Sequence, residues 1–388
     1  MSTLLFIDYS FQGFSRYAAQ LVSQLHLQNK EVKCIGLFMS PEKAEKTNGG
    51  PFDDVTCAND FSYDPETIYD YFKPDAIIVF AHRFFDYMFT LAAHNRGICV
   101  FNFQHGIYMD STVISTLSFH SIRMLIKKKR AQINLYLKCI YYMNQRKMAG
   151  TLNTLFRLIK YHKMYYVINS QFGKQCNADY SFVFGTYWEH YYKEQYKESF
   201  SKYEIIGYPE LETETQSVDG LFKNDLPTVC YLAQTSVEDG LVPEHVIKDF
   251  LELLKESLTT FNLVLKLHPR SNIKLYDDII HNKNVCVWAF NNFPKAEYFI
   301  GHESSVIARA LYQTNRTLIY RLAPDRISPF EKYSDFVCTQ KTQFHSIFHS
   351  FLNAKQLPSP RSDFSSYVYN NPHGSIRYTA SFIAKTIS

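Results

Sequence analysis

Two stretches of the sequence place hydrogen-bond donors directly after apolar runs. The first is an apolar run that starts at Phe261 and ends in His268, Pro269 and Arg270. Proline ends a strand and fixes the turn, so the imidazole and the guanidinium are expected to project from the strand's carboxyl end. Ligands of open α/β sheets bind at that edge. The stretch therefore predicts a site for an anionic ligand.

The second stretch, residues 298–312, is predicted to form a strand, a polar turn and a helix. The turn contains Glu303, Ser304 and Ser305, and the two serines are expected to begin the helix. A helix start leaves backbone N–H groups unpaired and carries partial positive charge, and two hydroxyls add donors. An alternative is that Ser304 only caps the helix. Together with His268, the turn predicts a cradle for a nucleotide phosphate.

Composition indicates a folded protein with room for two domains. The chain has 388 residues, of which 46% are hydrophobic and 20% charged. Its eight cysteines form no C-x-x-C pair and no zinc spacing, which favours reduced thiols in a cytosolic protein. We find no signal-peptide pattern and no apolar run long enough for a membrane span.

The first half of the chain alternates predicted strands and helices, which is typical of a parallel, doubly wound sheet. No G-x-G-x-x-G follows the first strand, so the usual dinucleotide fingerprint is absent. The predicted strands are 4–8, 30–38, 75–80, 97–103, 165–169, 182–184 and 205–209, and the main predicted helices are 14–27, 65–72 and 84–94.

The fourth predicted strand runs directly into Gln104, His105 and Gly106. A histidine at a strand's carboxyl end, next to a glycine that permits close backbone approach, is suited to accept a proton from a hydroxyl group. The alternative is a histidine hydrogen-bonded inside its loop. Ser10 and Gln12, in the turn after the first strand, are candidates for binding an acceptor, as are Gln104 and Gly106.

Residues 118–163 form a basic segment with eleven Lys or Arg residues and no Asp or Glu. The whole chain carries a net charge of +4, so the remainder carries −7. Apolar and aromatic residues alternate with the basic ones, a pattern that suits an anionic membrane surface. A solvated basic face or a groove for an acidic glycan are the alternatives. No nucleic-acid-binding module accompanies the charge.

The second half is predicted to repeat the α/β pattern after a polar linker at 210–227. The acidic pair of Glu238 and Asp239 precedes a glycine in the loop after a predicted strand at 228–232. We therefore expect a first domain at 1–209, with a basic helical insertion at 118–163, and a second domain at 228–373. A last helix, within 374–388, is expected to pack back on the first domain.

Two doubly wound domains with a phosphate site in the second are the plan of the GT-B glycosyltransferases, and this sequence resembles that group. His268-Pro269 followed by Ser304-Ser305 resembles the bacterial sialyltransferases that use CMP-sialic acid, and it also resembles the glycerol-phosphate and ribitol-phosphate transferases that use CDP-alditols. The Glu-Asp-Gly motif that contains Asp239 also resembles that group, although here it lies in the second domain.

The motif of Gln104, His105 and Gly106 resembles instead the CDP-glycerol and CDP-ribitol phosphotransferases of teichoic-acid and capsule synthesis. The resemblance to both groups implies two Rossmann-like domains facing a cleft and no metal or other cofactor. It implies that His268 stabilises the leaving nucleotide and that His105 or Asp239 takes the acceptor's proton.

The activity that the resemblance implies is inverting transfer of a sialic acid or related ulosonic acid from a CMP-activated donor to a bacterial surface glycan or glycolipid. The basic segment would hold such an enzyme on the inner face of the cytoplasmic membrane. The alternatives are a CDP-alditol phosphotransferase, a UDP-sugar enzyme of the same fold, and a glycan-binding protein without activity. Four arginines are near enough in sequence to bind a donor carboxylate: Arg309, Arg316, Arg321 and Arg326.

Overall fold

The chain folds as two compact units. The first comprises Met1–His105, Thr116–Pro209 and Tyr369–Ser388, and the second comprises Gly106–Ser115 and Glu210–Val368. The computed structural model describes residues 2–10, 17–28, 31–39, 50–107, 130–161, 164–290, 292–313, 316–324, 326–354 and 363–387.

A parallel sheet of seven strands forms the centre of the first unit, in the order β3-β2-β1-β4-β5-β6-β7. Its central strands are almost fully buried because helices cover both faces of a doubly wound sheet, which explains their continuous apolar sequences. The strands are β1 Ser2–Asp8, β2 Val32–Phe38, β3 Asp54–Cys57, β4 Ala76–Val79, β5 Cys99–Phe103, β6 Tyr180–Val183 and β7 Lys202–Ile205.

The helices of the first unit include one that is nearly surrounded by protein. Ten residues of α3 are buried, and α3 packs against α4 of the basic segment. The helices up to residue 195 are α1 Ala18–Gln28, α2 Pro65–Phe72, α3 Phe84–Asn95, α4 Arg130–Met143, α5 Met148–Tyr161, α6 Met164–Phe172 and α7 Thr186–Gln195.

Two predicted strands of the first unit are wrong. The one at 205–209 overlaps β7 only at Ile205, where that strand ends. Residues 165–169 lie in the helix α6, whose Val167, Ile168 and Asn169 are buried. The Asn169 side chain donates to the Tyr196 carbonyl at 2.5 Å, which fixes the helix against the chain after α7. A run of five apolar and polar residues is too short to distinguish the two periodicities, so tertiary contacts decide the conformation.

The second unit contains a parallel sheet of six strands in the order β11-β10-β9-β13-β14-β15. Its helices are α8 Glu244–Glu256, α9 Asp277–Ile280, α10 Ile307–Tyr312 and α11 Phe344–Asn353. The strands from residue 215 onward are β8 Thr215–Ser217, β9 Thr228–Leu232, β10 Asn262–Lys266, β11 Val285–Val287, β12 Phe293–Lys295, β13 Tyr298–Gly301, β14 Arg316–Tyr320 and β15 Phe336–Cys338.

The segment 210–227, expected to be a linker, belongs to the second unit. Its strand β8 pairs in parallel with β12, and its Thr213 carbonyl accepts a hydrogen bond from the Arg309 guanidinium. The segment is polar, as a linker would be, but backbone pairing holds it to the rest of the second unit.

The chain returns to the first unit near its end. Tyr208 N donates to the Tyr369 carbonyl at 2.8 Å, and the final helix, α12 Ser375–Thr386, packs against α1. A Cβ atom on Gly207 would lie 2.9 Å from the Tyr369 carbonyl, and the φ of Gly207 is +87°. Only glycine fits this crossing without strain.

The prediction of two parallel, doubly wound α/β domains is confirmed. All eight cysteines are free thiols. Across the described ranges, every helix is too short or too polar to cross a lipid bilayer.

Candidate functional site

The sheet of the second unit changes its direction of growth between β9 and β13. These strands are neighbours in the sheet, although β10, β11 and β12 separate them in the sequence. Loops on the two sides of such a switch point diverge, and doubly wound sheets bind ligands at their carboxyl ends there. The loops after β9, β10 and β13 contain all the site residues that were predicted in the second domain.

Arg270 joins the loop after β10 to the loop after β9. Its guanidinium donates to Asp239 Oδ1 at 2.8 Å and to Thr235 Oγ1 at 3.1 Å. Thr235 Oγ1 also donates to Asp239 Oδ2 at 2.7 Å. The hydrogen bond from Arg270 lowers the pKa of Asp239, which makes this carboxylate a weaker base than an ordinary aspartate. The arrangement favours a structural role for the acidic pair.

His268 has one ring nitrogen fixed by its own loop. The backbone N–H of Arg270 donates to His268 Nδ1 at 3.1 Å, and Ser271 N donates to the His268 carbonyl at 2.8 Å. Because Nδ1 accepts a hydrogen bond, the proton of the neutral ring must lie on Nε2. The ring is half-buried.

The turn after β13 is tied to the loop after β9. Glu303 N donates to Gln234 Oε1 at 3.3 Å, and the Glu303 carboxylate forms an ion pair with Arg326. Ser304 Oγ accepts a hydrogen bond from Val306 N at 3.2 Å, and this bond stabilises the turn. The helix that follows begins at Ile307, so the expectation that Ser304 and Ser305 begin it is wrong, and both serines lie in the turn before it.

A buried histidine next to this turn was not among the predicted site residues. His302 Nδ1 lies 2.7 Å from the Tyr320 carbonyl, so Nδ1 carries the proton and donates it. Its Nε2 then accepts from the Tyr231 hydroxyl at 2.9 Å. Burial lowers the pKa of His302 to about 4, so the ring is neutral at physiological pH. The residue bridges β9, β13 and β14 below the candidate phosphate site.

The four arginines that were considered for a donor carboxylate all have partners within the second unit. Arg309 lies over the Phe293 ring and donates to a backbone carbonyl, and Arg316 donates to the Tyr298 hydroxyl at 2.5 Å. The other two form ion pairs, Arg321 with Glu331 and Arg326 with Glu303. Each of these four arginines therefore stabilises contacts between strands and loops of the second unit.

The first unit has a switch point of its own, between β1 and β4. Asp8 ends β1, and its Oδ1 atom accepts from Arg83 at 2.6 Å. Arg83 also donates to Asp86 at 2.8 Å and is the residue before α3. Burial opposes the charged forms of this cluster, but the two carboxylates raise the pKa of Arg83, which keeps its charge. Sequence reasoning missed this cluster because its members come from separate elements.

The predicted acceptor residues lie at the same carboxyl edge but differ in exposure. Gln104 is buried, and its Oε1 accepts from Phe184 N at 2.9 Å, so it joins the ends of β5 and β6 and has little surface for an acceptor. His105 and Gly106 follow it and are half-buried. Ser10 is half-buried two residues after β1. Gln12 lies outside the described residues.

A second buried histidine lies in the first unit. His82 Nε2 is 2.6 Å from Glu198 Oε2, and Glu198 Oε1 accepts from Ser181 at 2.8 Å and from Ser201 at 2.7 Å. Burial alone raises the pKa of Glu198, but the nearby His82 and the two hydroxyls outweigh it and hold the pKa below its usual value. Aromatic rings surround His82, contributed by Tyr87, Tyr165, Tyr192 and Tyr196.

Within the described part of the chain, one group of side chains has a metal-ligand spacing. His26, Cys34 and Asp53 place ligand atoms within 4.8 Å of one another, and His26 Nε2 lies 3.1 Å from Asp53 Oδ2. The group lies where β2 begins, at the amino-terminal edge of the first unit's sheet. Burial raises the pKa of Cys34 to about 12, which favours the protonated thiol over a metal-binding thiolate.

Comparison with known proteins gives matches at the level of structure. No family model and no curated protein matches the chain. The glycosyltransferase of kitacinnamycin aligns with a TM-score of 0.57 at 11% identity, over 100% of this chain and 99% of its own. MnaA of S. aureus, solved with UDP, aligns with a TM-score of 0.55 at 12% identity, over 100% and 97%.

A Medicago truncatula protein complexed with UDP-glucose aligns over 100% of this chain and 98% of its own, with a TM-score of 0.52 and 11% identity. Such low identity establishes similarity of fold only. The whole length of each of these proteins is nevertheless matched, with both Rossmann-like domains included. The chain has the GT-B fold.

Proposed function

We propose that the protein is a glycosyltransferase that moves a sugar from a pyrimidine-nucleotide donor to a glycan or glycolipid acceptor at the bacterial cell surface. The observation that carries the proposal is the position of His268, which follows β10 at the carboxyl edge of the second unit's sheet and whose Nδ1 accepts from Arg270 N. Ser304 and Ser305 contribute hydroxyls from the turn after β13 at the same edge. The fold itself is compatible with many activities, so the proposal depends on these residues.

In the proposed reaction His268 donates a hydrogen bond to a phosphoryl oxygen of the donor as the bond to the sugar breaks. Charge develops on that oxygen in the transition state, and a donor fixed in advance stabilises it. Ser304 and Ser305 add neutral donors. Arg270 supports the loop through Asp239 and leaves His268 as the group that faces the phosphate. Since these are protein donors, we expect binding that does not depend on a divalent metal.

The donor is best assigned to the UDP-sugar class. Two neighbours in fold were solved with UDP or UDP-glucose. The pairing of Arg309, Arg316, Arg321 and Arg326 also removes the support that they gave to a carboxylate-bearing, CMP-activated ulosonic acid. A CMP-sugar is the second candidate, because the His-Pro and Ser-Ser motifs and the Glu-Asp-Gly stretch resemble those of the sialyltransferases. A CDP-alditol donor is the third.

We assign the role of general base to His105 in preference to Asp239. Arg270 and Thr235 stabilise the ionised form of Asp239 and lower its affinity for a proton. His105 follows a central strand of the first unit and is half-buried. An imidazole has an ordinary pKa near neutrality, which suits removal of a proton from a hydroxyl.

The same proposal includes a peripheral location on the inner face of the cytoplasmic membrane, through the basic segment 118–163. Of this segment, residues 130–161 are described, and they form α4 and α5. Glycan acceptors that are built on lipids lie at that surface. A glycan-binding protein without turnover is the non-enzymatic alternative.

Removing His268 is expected to abolish stabilisation by nucleotide. At a UDP concentration of about 100 times Kd, binding should add about 2.7 kcal/mol to the stability of the second unit and raise its melting temperature. We would measure thermal shifts with UDP, CMP, CDP and GDP, with and without EDTA. His268→Ala should lose the shift in melting temperature, because the phosphate loses the hydrogen-bond donor that the imidazole provides.

His105→Ala is the matched control, since it also removes a histidine after a strand but in the first unit. It should keep the full nucleotide shift. A larger shift in melting temperature with CMP than with UDP would make a CMP-sugar the preferred donor, and the proposal of a glycosyltransferase would stand. Absence of a shift with every nucleotide, in wild-type protein, would favour the glycan-binding alternative.

A further inference from the structure

The described part of the basic segment is a helical hairpin, α4 and α5, with a rigid polar interior. Asn144, in the turn, donates to Thr154 Oγ1 at 3.0 Å and accepts from Gln171 Nε2 at 3.1 Å. Gln171 lies in α6 and also accepts from Thr154 at 3.0 Å. A Cβ atom on Gly150 would meet Asn144 Oδ1 at 2.7 Å, so the helices approach closely there. These contacts fix which face of α5 points outward.

Apolar residues occupy both faces of the hairpin. The inner ones pack on the first unit: Leu135, Cys139, Ile140 and Met143 of α4 are buried in its core. Leu155 and Leu158 of α5 lean against the same cluster. In the described part of the segment, several of the apolar residues that suggested membrane binding are therefore core residues.

The outer face of α5 carries a separate apolar stripe, which we call the α5 ridge: Met148, Leu152, Phe156 and Ile159. Their exposed fractions are 63%, 59%, 65% and 69%. At about 100° per residue, the four side chains fall within an arc of about 80° on the helix. The ridge extends for roughly 16 Å along the axis, at 1.5 Å per residue. Side chains of this size are rarely left in water as a continuous row.

The charged residues that the basic segment itself places near the ridge are all cations. Lys147 and Lys160 lie at its two ends, Lys160 near the Tyr161 ring, and both are exposed. No Asp or Glu occurs between residues 118 and 163. Arg146 is balanced by Asp64 at 3.1 Å, but this carboxylate belongs to another part of the first unit. An apolar row flanked by cations complements an anionic lipid surface, where acyl chains and headgroups offer the matching layers.

We propose that the α5 ridge is the part of the protein that inserts into an anionic bilayer. The helix lies parallel to the membrane plane, with its four apolar side chains at the level of the upper acyl chains and its lysines at the headgroups. The inner face stays on the protein core, so docking needs no unfolding of the hairpin. This inference names the surface through which the proposed enzyme contacts the membrane. It rests on the proposed function only in assuming that the membrane is the bacterial cytoplasmic one.

The test is co-sedimentation of the full chain with vesicles of phosphatidylcholine mixed with phosphatidylglycerol. The triple variant Leu152→Gln, Phe156→Gln and Ile159→Gln should lower the partition coefficient by at least about tenfold, since the inserting side chains become polar. A lysine variant, Lys147→Gln with Lys160→Gln, should weaken binding to these vesicles and leave the weak binding to pure phosphatidylcholine unchanged.

The chain offers a matched control with the same three substitutions at other exposed sites. Leu27, Phe200 and Ile327 are 75%, 56% and 62% exposed, close to the values for the ridge. Their triple glutamine variant should bind vesicles like wild-type protein. Circular dichroism and melting temperature would establish that both triple variants are folded.

Three results would overturn the inference. The first is that wild-type protein does not bind the vesicles, and the second is that the ridge and control variants lose binding equally. The third is that wild-type protein is a dimer, the ridge variant is a monomer, and neither binds vesicles. The last would assign the ridge to a second copy of the chain. Sedimentation requires no turnover, and the UDP thermal shift of the ridge variant tests the proposed function separately.

Discussion

Replacing Glu198 by alanine is expected to lower the free energy of unfolding of the first unit by about 3–5 kcal/mol. The substitution removes the only carboxylate within 2.6 Å of His82 among the described residues and leaves the buried imidazole without this hydrogen-bond partner. It also removes the acceptor of the Ser181 and Ser201 hydroxyls. A buried group that loses its partner keeps the full cost of desolvation, which is why the expected effect is large.

The measurement can be confined to one unit, because the two tryptophans of the chain lie in different units. Trp188 belongs to the first unit and Trp288 to the second. In a Trp288→Phe background, Trp188 fluorescence during urea unfolding reports on the unit that contains Glu198. Glu198→Gln, which keeps an acceptor for the serines, should fall between wild type and Glu198→Ala.

Glu189→Ala is the matched control for this prediction. Glu189 pairs with Lys193 at 2.6 Å, one turn away on the exposed face of α7. Solvent-exposed pairs of this kind contribute about 0.3–0.5 kcal/mol. Equal losses for Glu198→Ala and Glu189→Ala would contradict the assignment of His82 and Glu198 as a buried structural pair.

The second large effect is a dependence of stability on pH that comes from His302. The folded pKa of about 4 lies below the ordinary value of 6.5, so between these values the unfolded chain binds a proton that the folded chain does not. The stability of the second unit should therefore fall as the pH is lowered below 6.5, by about 1.4 kcal/mol per pH unit from this group alone.

His302→Gln provides the comparison, because glutamine can accept from Tyr231 or donate to Tyr320 but does not titrate. We would measure urea unfolding by Trp288 fluorescence, in a Trp188→Phe background, between pH 7 and pH 5. The stability of wild type relative to the variant should decrease by about 2 kcal/mol over the range from 6.5 to 5. Parallel curves for the two proteins would show that His302 does not carry the effect.

The sequence by itself determined the order of most elements in both units. The apolar runs at β1, β9, β10 and β13 are long enough to be identified as buried strands, and proline after β10 marks where that strand ends. The periodicity of α3 identified it as a helix. The placement of His268 and Ser304 directly after the ends of β10 and β13 followed from the same patterns, because local sequence sets where a strand stops.

Contacts between residues that are far apart in the chain could not be predicted from the sequence. His82 and Glu198 are 116 residues apart, and His302 meets Tyr231 across 71 residues. Arg270 looked like a phosphate ligand until its partner Asp239 was known. In each case the protonation or charge of a group depends on what is packed beside it, and no local pattern encodes that neighbour.

The same reason explains the errors. Residues 165–169 became a helix because the hairpin and the chain near Tyr196 pack around them, not because of their own periodicity. The apolar residues of α4 and α5 could be counted from the sequence, but only the tertiary structure separated the buried ones from the α5 ridge. Burial depends on which face of a helix the rest of the chain covers, and in this hairpin Asn144, Thr154 and Gln171 decide it.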